Sequence, residues 1–214
     1  MRVLWFTFSV VVLDQLSKLW VKGINIPWLG IDFQGRQYGV GTPIMGDFFR
    51  LTYIENPGMA FGIDLGGKLF FSVFSIALSI GILYYLYRAR KENVGFRTSL
   101  ALILGGAIGN LIDRIFYGVI FDEAPLFYGK VVDFFDVDFF NVNVFGYSLS
   151  RWPVFNVADA AVTIGIILLL FVQHHHEEEV TATTMPAIVT TGNDSGAITE
   201  PNSPQAMLPE DPAQ

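Results

Sequence analysis

The residues of this chain best suited to chemistry are carboxylates and asparagines lodged in or beside apolar runs. They are Asp14 with Lys18, Asn110 with Asp113 and Arg114, the run holding Asp133, Asp136 and Asp138, and Asn156 with Asp159. A carboxylate entering hydrocarbon is costly, so each is a functional-site candidate by default. Asp159 is the clearest case. It closes the stretch Phe155-Asn156-Val157-Ala158-Asp159, where a polar loop runs into the last long apolar run, Ala160 to Phe171. Two carboxylates at close range split their pKa values and can act as base and acid on one water, which hydrolyses an amide without a covalent intermediate. Other routes are closed. The chain has no cysteine, which excludes thiol nucleophiles, disulfides and thiolate metal sites. Its histidines form a single tract, His174-His175-His176, at the far end of the last apolar run. A Ser/His or Cys/His system therefore has no base at the depth of Asp159, and no His-Glu-x-x-His helix is present.

The elements that must position these residues are of membrane type. The 214 residues are 52% hydrophobic and only 15% charged, with a mean hydropathy of +0.46, whereas soluble domains carry about 25% charged residues. Four apolar runs, Val3 to about Val21, Leu69 to Tyr87, Thr98 to Phe116 and Pro153 to Gln173, predict an all-α membrane protein of four transmembrane helices. Between the first and second, Gly23 to Gly66 is rich in Gly and aromatics and carries short β-type runs such as Phe48 to Ile54. It predicts a small extramembrane β-sheet. Residues 117–152 form the second long connection, with Asp133, Asp136 and Asp138 in a run that could be a strand or an interfacial helix. Spacing does not choose among those three carboxylates. Pro153 is expected at the first position of the last helix, which puts Asp159 more than a turn inside it.

Arg88, Arg90, Lys91 and Arg97 make the loop after the second run cytoplasmic by the positive-inside rule. With four spans, both termini then face the cytoplasm and connections 22–67 and 117–152 face outward. The net charge of −7 belongs to the segment beyond Gln173, which holds Glu177, Glu178, Glu179, Asp194, Glu200, Glu210 and Asp211 and no Lys or Arg. Residues 174–214 read as a disordered acidic cytoplasmic tail on a domain of residues 1–173. The acidity says nothing about the substrate, and no nucleic-acid partner is expected. On this topology the polar residues of the first, third and fourth spans converge in the outer leaflet. Asp14 and Lys18, at i and i+4, can pair; taken alone they read equally well as a structural ion pair. A proton-coupled transporter or channel is the rival use of buried carboxylates. It needs access from both faces, and these residues reach one leaflet only, in a chain without an inverted repeat.

Five blocks in order resemble the lipoprotein signal peptidases of bacteria, signal peptidase II. They are Asp14-Gln15-Leu16-Ser17-Lys18, Asn56-Pro57-Gly58-Met59-Ala60-Phe61-Gly62, Gly105 through Arg114, Val131-Val132-Asp133-Phe134, and Phe155 through Asp159. The resemblance covers about residues 1–173. It implies an aspartyl endopeptidase of the bacterial cytoplasmic membrane that removes the signal peptide of a diacylglyceryl-modified prolipoprotein, just before the lipidated Cys. It assigns Asp133 and Asp159 as the catalytic pair, and Asp14, Lys18, Asn56, Gly58, Asn110, Asp113, Arg114 and Asn156 as substrate-lining or supporting positions. It implies globomycin-type inhibitors and contact with membrane lipid, and no metal or organic cofactor. Asn56, Asn110 and Asn156 each offer a donor and an acceptor suited to extended peptide backbone. The stretches from Arg114 to Asp133 and from Asp133 to Asp159 are longer than the family pattern leads one to expect.

Overall fold

The first helix, α1 (Leu4–Lys22), is inside-out by the standards of a soluble protein. Its buried positions, Thr7, Asp14, Lys18 and Val21, fall on one face, while Trp5, Phe8, Leu13, Leu16 and Trp20 are exposed. That pattern suits a hydrocarbon surround, with polar groups turned toward other helices. This computed structural model describes residues 2–58, 67–144 and 147–184. Three helical stretches, Leu4–Lys22, Leu69–Arg88 and Val94–Ile120, are long and apolar enough to cross a membrane, and a shorter apolar helix covers Val157–Val172.

Helix α2 (Gly67–Arg88) lies on the outside of the bundle and keeps a broad exposed apolar face that includes Val73, Ile80 and Tyr84. Helix α3 (Val94–Ile112) starts four residues earlier than the hydropathy suggests, because Asn93 caps it by accepting the Phe96 N–H at 2.7 Å. It passes without a break through a π turn at Asp113–Tyr117 into the last turn, α4 (Gly118–Ile120). Helix α5 (Val157–Thr184) begins four residues after Pro153. The chain before it stays extended because Phe155 exchanges hydrogen bonds with Phe135, at 2.7 and 3.1 Å. The helical backbone continues past Gln173 to Thr184, and residues 185–214 lie outside the described residues.

The sheet is not confined to the first connection. A hairpin of β1 (Gly23–Ile26) and β2 (Ile31–Gln34) follows α1 directly. A separate antiparallel sheet runs in the order β3 (Gly41–Met45), β4 (Phe49–Asn56), β5 (Val131–Val144), β6 (Tyr147–Arg151). The second connection thus contributes half of it, and the run containing Asp133 is a strand. The long spacing between Asp133 and Asp159 is taken up by the β5–β6 hairpin. Val21, Tyr53, Tyr117, Val132 and Phe134 form a buried cluster that packs the sheet onto the ends of α1 and α3.

Helices α3 and α5 meet almost backbone to backbone. A Cβ on Gly106 would stand 2.3 Å from the Ala158 carbonyl oxygen, and one on Gly165 would stand 2.8 Å from that of Ser99. Small residues at such crossings let helices approach closely. Since neither carbonyl can move without its helix, Gly106→Ala should lower the unfolding midpoint of the detergent-solubilised protein by the equivalent of about 1–3 kcal/mol. Gly81→Ala, whose Cβ would meet nothing within 4 Å, should leave the midpoint unchanged or slightly raised.

Candidate active site

The site is built around the first turn of α5. Asn156 is its N-cap: its Oδ1 accepts the Asp159 N–H at 3.0 Å, while Asp159 Oδ2 accepts the Asn156 N–H at 3.2 Å. This is a reciprocal capping box made by Asn and Asp. Asp159 therefore sits in the first helical turn rather than beyond it, where the helix dipole favours a carboxylate. The neighbouring orphan donor, Ala158 N–H, is taken by Asp14 Oδ1 at 2.9 Å. The helix end is thus satisfied by protein groups.

Asp14 is held in turn by Lys18. The Lys18 ammonium lies 2.7 Å from Asp14 Oδ2 and 2.8 Å from Asp113 Oδ2, and all three side chains have no exposure. The adjacent Asp113 and Arg114 do not pair with each other. Asp113 turns to α1 and to the sheet, where its Oδ2 accepts the Val132 N–H at 3.2 Å. Gln15 completes this side by donating to Asp113 Oδ1 at 2.9 Å and accepting from the Tyr117 hydroxyl at 3.0 Å. Gln15 and Tyr117 do not stand out as site residues in the sequence. An amide inside the apolar run of α1 is the signal that finds Gln15, because such a group must find a partner in a neighbouring helix. Tyr117 has no such signal.

Asp133 comes from β5, opposite Ile54 of β4, and is 2% exposed. Its Oδ1 accepts from Asn156 Nδ2 at 2.6 Å, and the Asn56 side chain hydrogen-bonds the same carboxyl. Burial, reinforced by the negative charge of Asp159, pushes the Asp133 carboxyl up to about 7, against the opposing pull of Lys18 and the two asparagines. Asp136 and Asp138 belong to a different cluster. Asp136 accepts from Thr52 at 2.7 Å and from Arg151 Nε at 2.5 Å, and Asp138 lies 3.5 Å from Arg151 Nη1. These two carboxylates fasten the sheet, away from α5.

A bridge of two amides links the outer carboxylates. Asn156 Nδ2 is shared between Asp133 and Asn110 Oδ1, the latter at 3.0 Å, and Asn110 Nδ2 donates to Asp159 Oδ1 at 2.7 Å. Asn110 Oδ1 also accepts from Lys18 at 2.9 Å. The three asparagines are thus engaged with the carboxylates and their supports; Asn56 Oδ1 also accepts the Gly58 N–H at 2.9 Å. Gly58 has φ +102°, and a Cβ there would press on the Phe71 ring at 2.7 Å. Residues 59–62 of the same block lie outside the described residues. Arg114, on the π turn, faces Asp113, Asp159 and Asp133 electrostatically. A groove of about 400 Å³, lined by Val137, Trp152, Phe155, Asp159, Ala160, Thr163 and Ile164, opens Asp159 to the surroundings.

Two solved structures share this architecture. Both are bacterial membrane enzymes determined by the in meso method. One has a TM-score of 0.62 at 27% identity, covering 88% of this chain and 94% of its own. The other has a TM-score of 0.58 at 29% identity, covering 80% and 92%. The class of protein is therefore a membrane enzyme. Curated relatives are more specific. A lipoprotein signal peptidase of Porphyromonas gingivalis is 37% identical over 186 residues, 74% of this chain and 76% of the relative. One of Chlorobaculum parvum is 36% identical over 162 residues, 76% and 88%. The family model described as signal peptidase (SPase) II matches residues 6–174. The chain belongs to the signal peptidase II family, which are aspartic-type proteases.

Two expectations follow from the geometry alone. Lys18→Met removes the cation between two fully buried carboxyls, and should destabilise the protein by about 3–5 kcal/mol in detergent unfolding. The Asp133 carboxyl has its pKa raised on folding from 3.8 to about 7. The folded state then holds a proton that the unfolded chain releases, so this contribution to stability is present at low pH and is lost as pH rises through about 7. In Asp133→Asn that loss should vanish, so the parent's unfolding midpoint should fall relative to the variant's as pH rises from about 4 to about 7 and run parallel to it above that.

Proposed function

We propose that the chain is the peptidase that removes signal peptides from lipid-modified prolipoproteins, with Asp133 and Asp159 as the catalytic pair. The observation that carries this is the amide bridge through Asn156 and Asn110, which ties a deeply buried carboxyl from the sheet to a half-buried one at a helix N-terminus. Their unlike surroundings divide the labour. Asp133, at about 7, starts with the shared proton. Asp159, at the open groove, takes a proton from water as that water attacks the scissile carbonyl. Asp133 gives its proton to the carbonyl oxygen as the tetrahedral diol forms. Collapse then sends the proton on Asp159 to the leaving amine nitrogen, and a diol hydroxyl returns a proton to Asp133, so the pair is restored. Arg114 faces both carboxyls and offsets negative charge during these transfers.

The membrane arrangement is part of the same reading. Residues 1–173 form a four-span peptidase domain of the cytoplasmic membrane, with both termini cytoplasmic, the acidic tail of residues 174–214 on that side, and the strands cradling substrate at the outer leaflet. The bond before a lipidated Cys lies at the membrane surface, and a dyad at the outer ends of helices reaches it while the acyl chains stay in lipid. Globomycin-type inhibitors would occupy the same site.

The test compares a diacylglyceryl-modified precursor with its unmodified form. Only the modified form should be cut, and globomycin should block the reaction. Asp133→Asn and Asp159→Asn should each lower kcat by about 10²–10⁴-fold, while Asp136→Asn, a fastener of the sheet, should stay within several-fold of the parent. Processing at the parental rate by either dyad variant, or loss of activity in Asp136→Asn alone, would overturn the assignment.

A further inference from the structure

Outside the site, Glu55 stands at the centre of a second polar cluster. Its Oε1 is ion-paired with Lys22, the last residue of α1, and accepts from the Tyr53 hydroxyl at 2.6 Å; its Oε2 lies 2.8 Å from Lys130. Lys22 also reaches Glu123 at 2.6 Å and covers the Phe121 ring at 4.5 Å from its centroid. The Lys22 and Glu55 side chains are 6% and 9% exposed, so the pair is shielded from screening, whereas Lys130 and Glu123 are 39% and 40% exposed.

What this carboxylate joins is the reason to single it out. Glu55 precedes Asn56, which hydrogen-bonds Asp133. Lys130 precedes β5, three residues ahead of Asp133 itself, and the register opposes Glu55 to Val132 and Asn56 to Val131. Lys22 lies one helical turn beyond Lys18, which holds Asp14, Asp113 and Asn110. One carboxylate therefore clips together the strand carrying Asn56, the strand carrying Asp133 and the helix carrying Lys18. A one-residue slip between the two strands would turn Asp133 to the other face of the sheet.

We propose that Glu55 is a positioning residue for the hydrolytic reaction: by pairing with Lys22 and Lys130 it holds Asn56 against Asp133 and keeps Asp133 in register with the Lys18 network. The proposal rests on the dyad reading given above. Glu55 itself does not titrate in the working range. Burial favours its neutral form, but hydrogen bonds from Lys130, Lys22 and Tyr53 outweigh burial and hold its carboxyl at about 2. Asp133 is faced by Asp159 from α5, Lys18 from α1, Arg114 from the π turn, and the amides of Asn156 and Asn56. Of these, Asn56 is the one adjacent to Glu55, and its hydrogen bond lowers the Asp133 pKa. Loosening it moves the Asp133 titration to higher pH.

The experiment measures kcat, KM and the pH dependence of kcat/KM for full-length Glu55→Gln, Lys130→Met and Lys22→Arg in detergent micelles, with a lipidated precursor. Glu55→Gln should lower kcat by about tenfold or more, the scale of a small misplacement of reacting groups, with KM changed less than twofold. Its limb belonging to Asp133 should move to higher pH. Lys130→Met, at the exposed end of the cluster, should shift in the same direction by less, and Lys22→Arg, which keeps the cation, should retain most of the parental rate. Parental kcat and pH profile in Glu55→Gln would overturn the proposal, and so would a lower melting temperature with kcat and pH profile unchanged at a permissive temperature. If Glu55→Gln does not fold, Lys130→Met decides: an unmoved pH limb overturns the proposal. Parent protein that fails to cut the lipidated precursor at all would instead reject the dyad reading.

Discussion

The bond from the Ala158 N–H to Asp14 is the contact on which the rest of this protein depends. A helix N-terminus carries unsatisfied donors and partial positive charge, and α5 buries that end among other helices. Asp14 answers the donor, but a buried carboxylate needs a cation, so Lys18 must be there. One lysine beside one aspartate leaves ammonium donors over, and Asp113 and Asn110 take them. Asp113 then has lone pairs to spare, which go to Gln15 and to the first residues of β5. Each buried group of this network is compensated by the next, and the compensation leads from the helix end to the strand that carries Asp133.

Backbone proximity makes this possible. Gly106 and Gly109 remove the side chains that would keep α5 away from α3, and the space a Gly109 Cβ would take is occupied by Asp14 Oδ2, 2.6 Å from that position. The π turn at Asp113–Tyr117 has a related effect. It re-aims Asp113 and Arg114 into different surroundings and frees the Arg114 and Ile115 carbonyls, which accept from Gly129 and Phe127 at 3.0 and 3.1 Å. The returning loop is pinned there before β5 begins. Such turns recur at functional sites because one extra residue rotates the side chains that follow.

Much of this was legible beforehand. The apolar runs located α1, α2 and α3, and the five motif blocks contained every carboxylate and asparagine now found in the polar junction. Less legible was the start of α5. Pro153 is a sound helix signal in isolation, yet cross-strand pairing of Phe155 with Phe135 kept the chain extended as far as Asn156. The sheet is only half legible, because the whole of α2 and α3 lies between β4 and β5 in sequence, and no local pattern records a partner that distant. Tyr117 carries no local mark of its role, since its partner Gln15 lies on α1, whereas Gln15 is marked by being an amide inside an apolar run.

By itself, then, the amino-acid sequence determined which residues are too polar for their surroundings, and hence where chemistry could be. It also determined the apolar lengths of the helices, because composition and periodicity are local. It could not choose among Asp133, Asp136 and Asp138, which share one strand and one residue type. Tertiary structure separated them. Strand alternation puts Asp133 and Asp136 on opposite faces, and tertiary contacts then give Asp133 the amides of Asn156 and Asn56 while Arg151 and Thr52 claim Asp136. Only a fold can set Arg151 beside Asp136 and bury Asp133 against two amides, because each of those partners is distant in sequence or on another element.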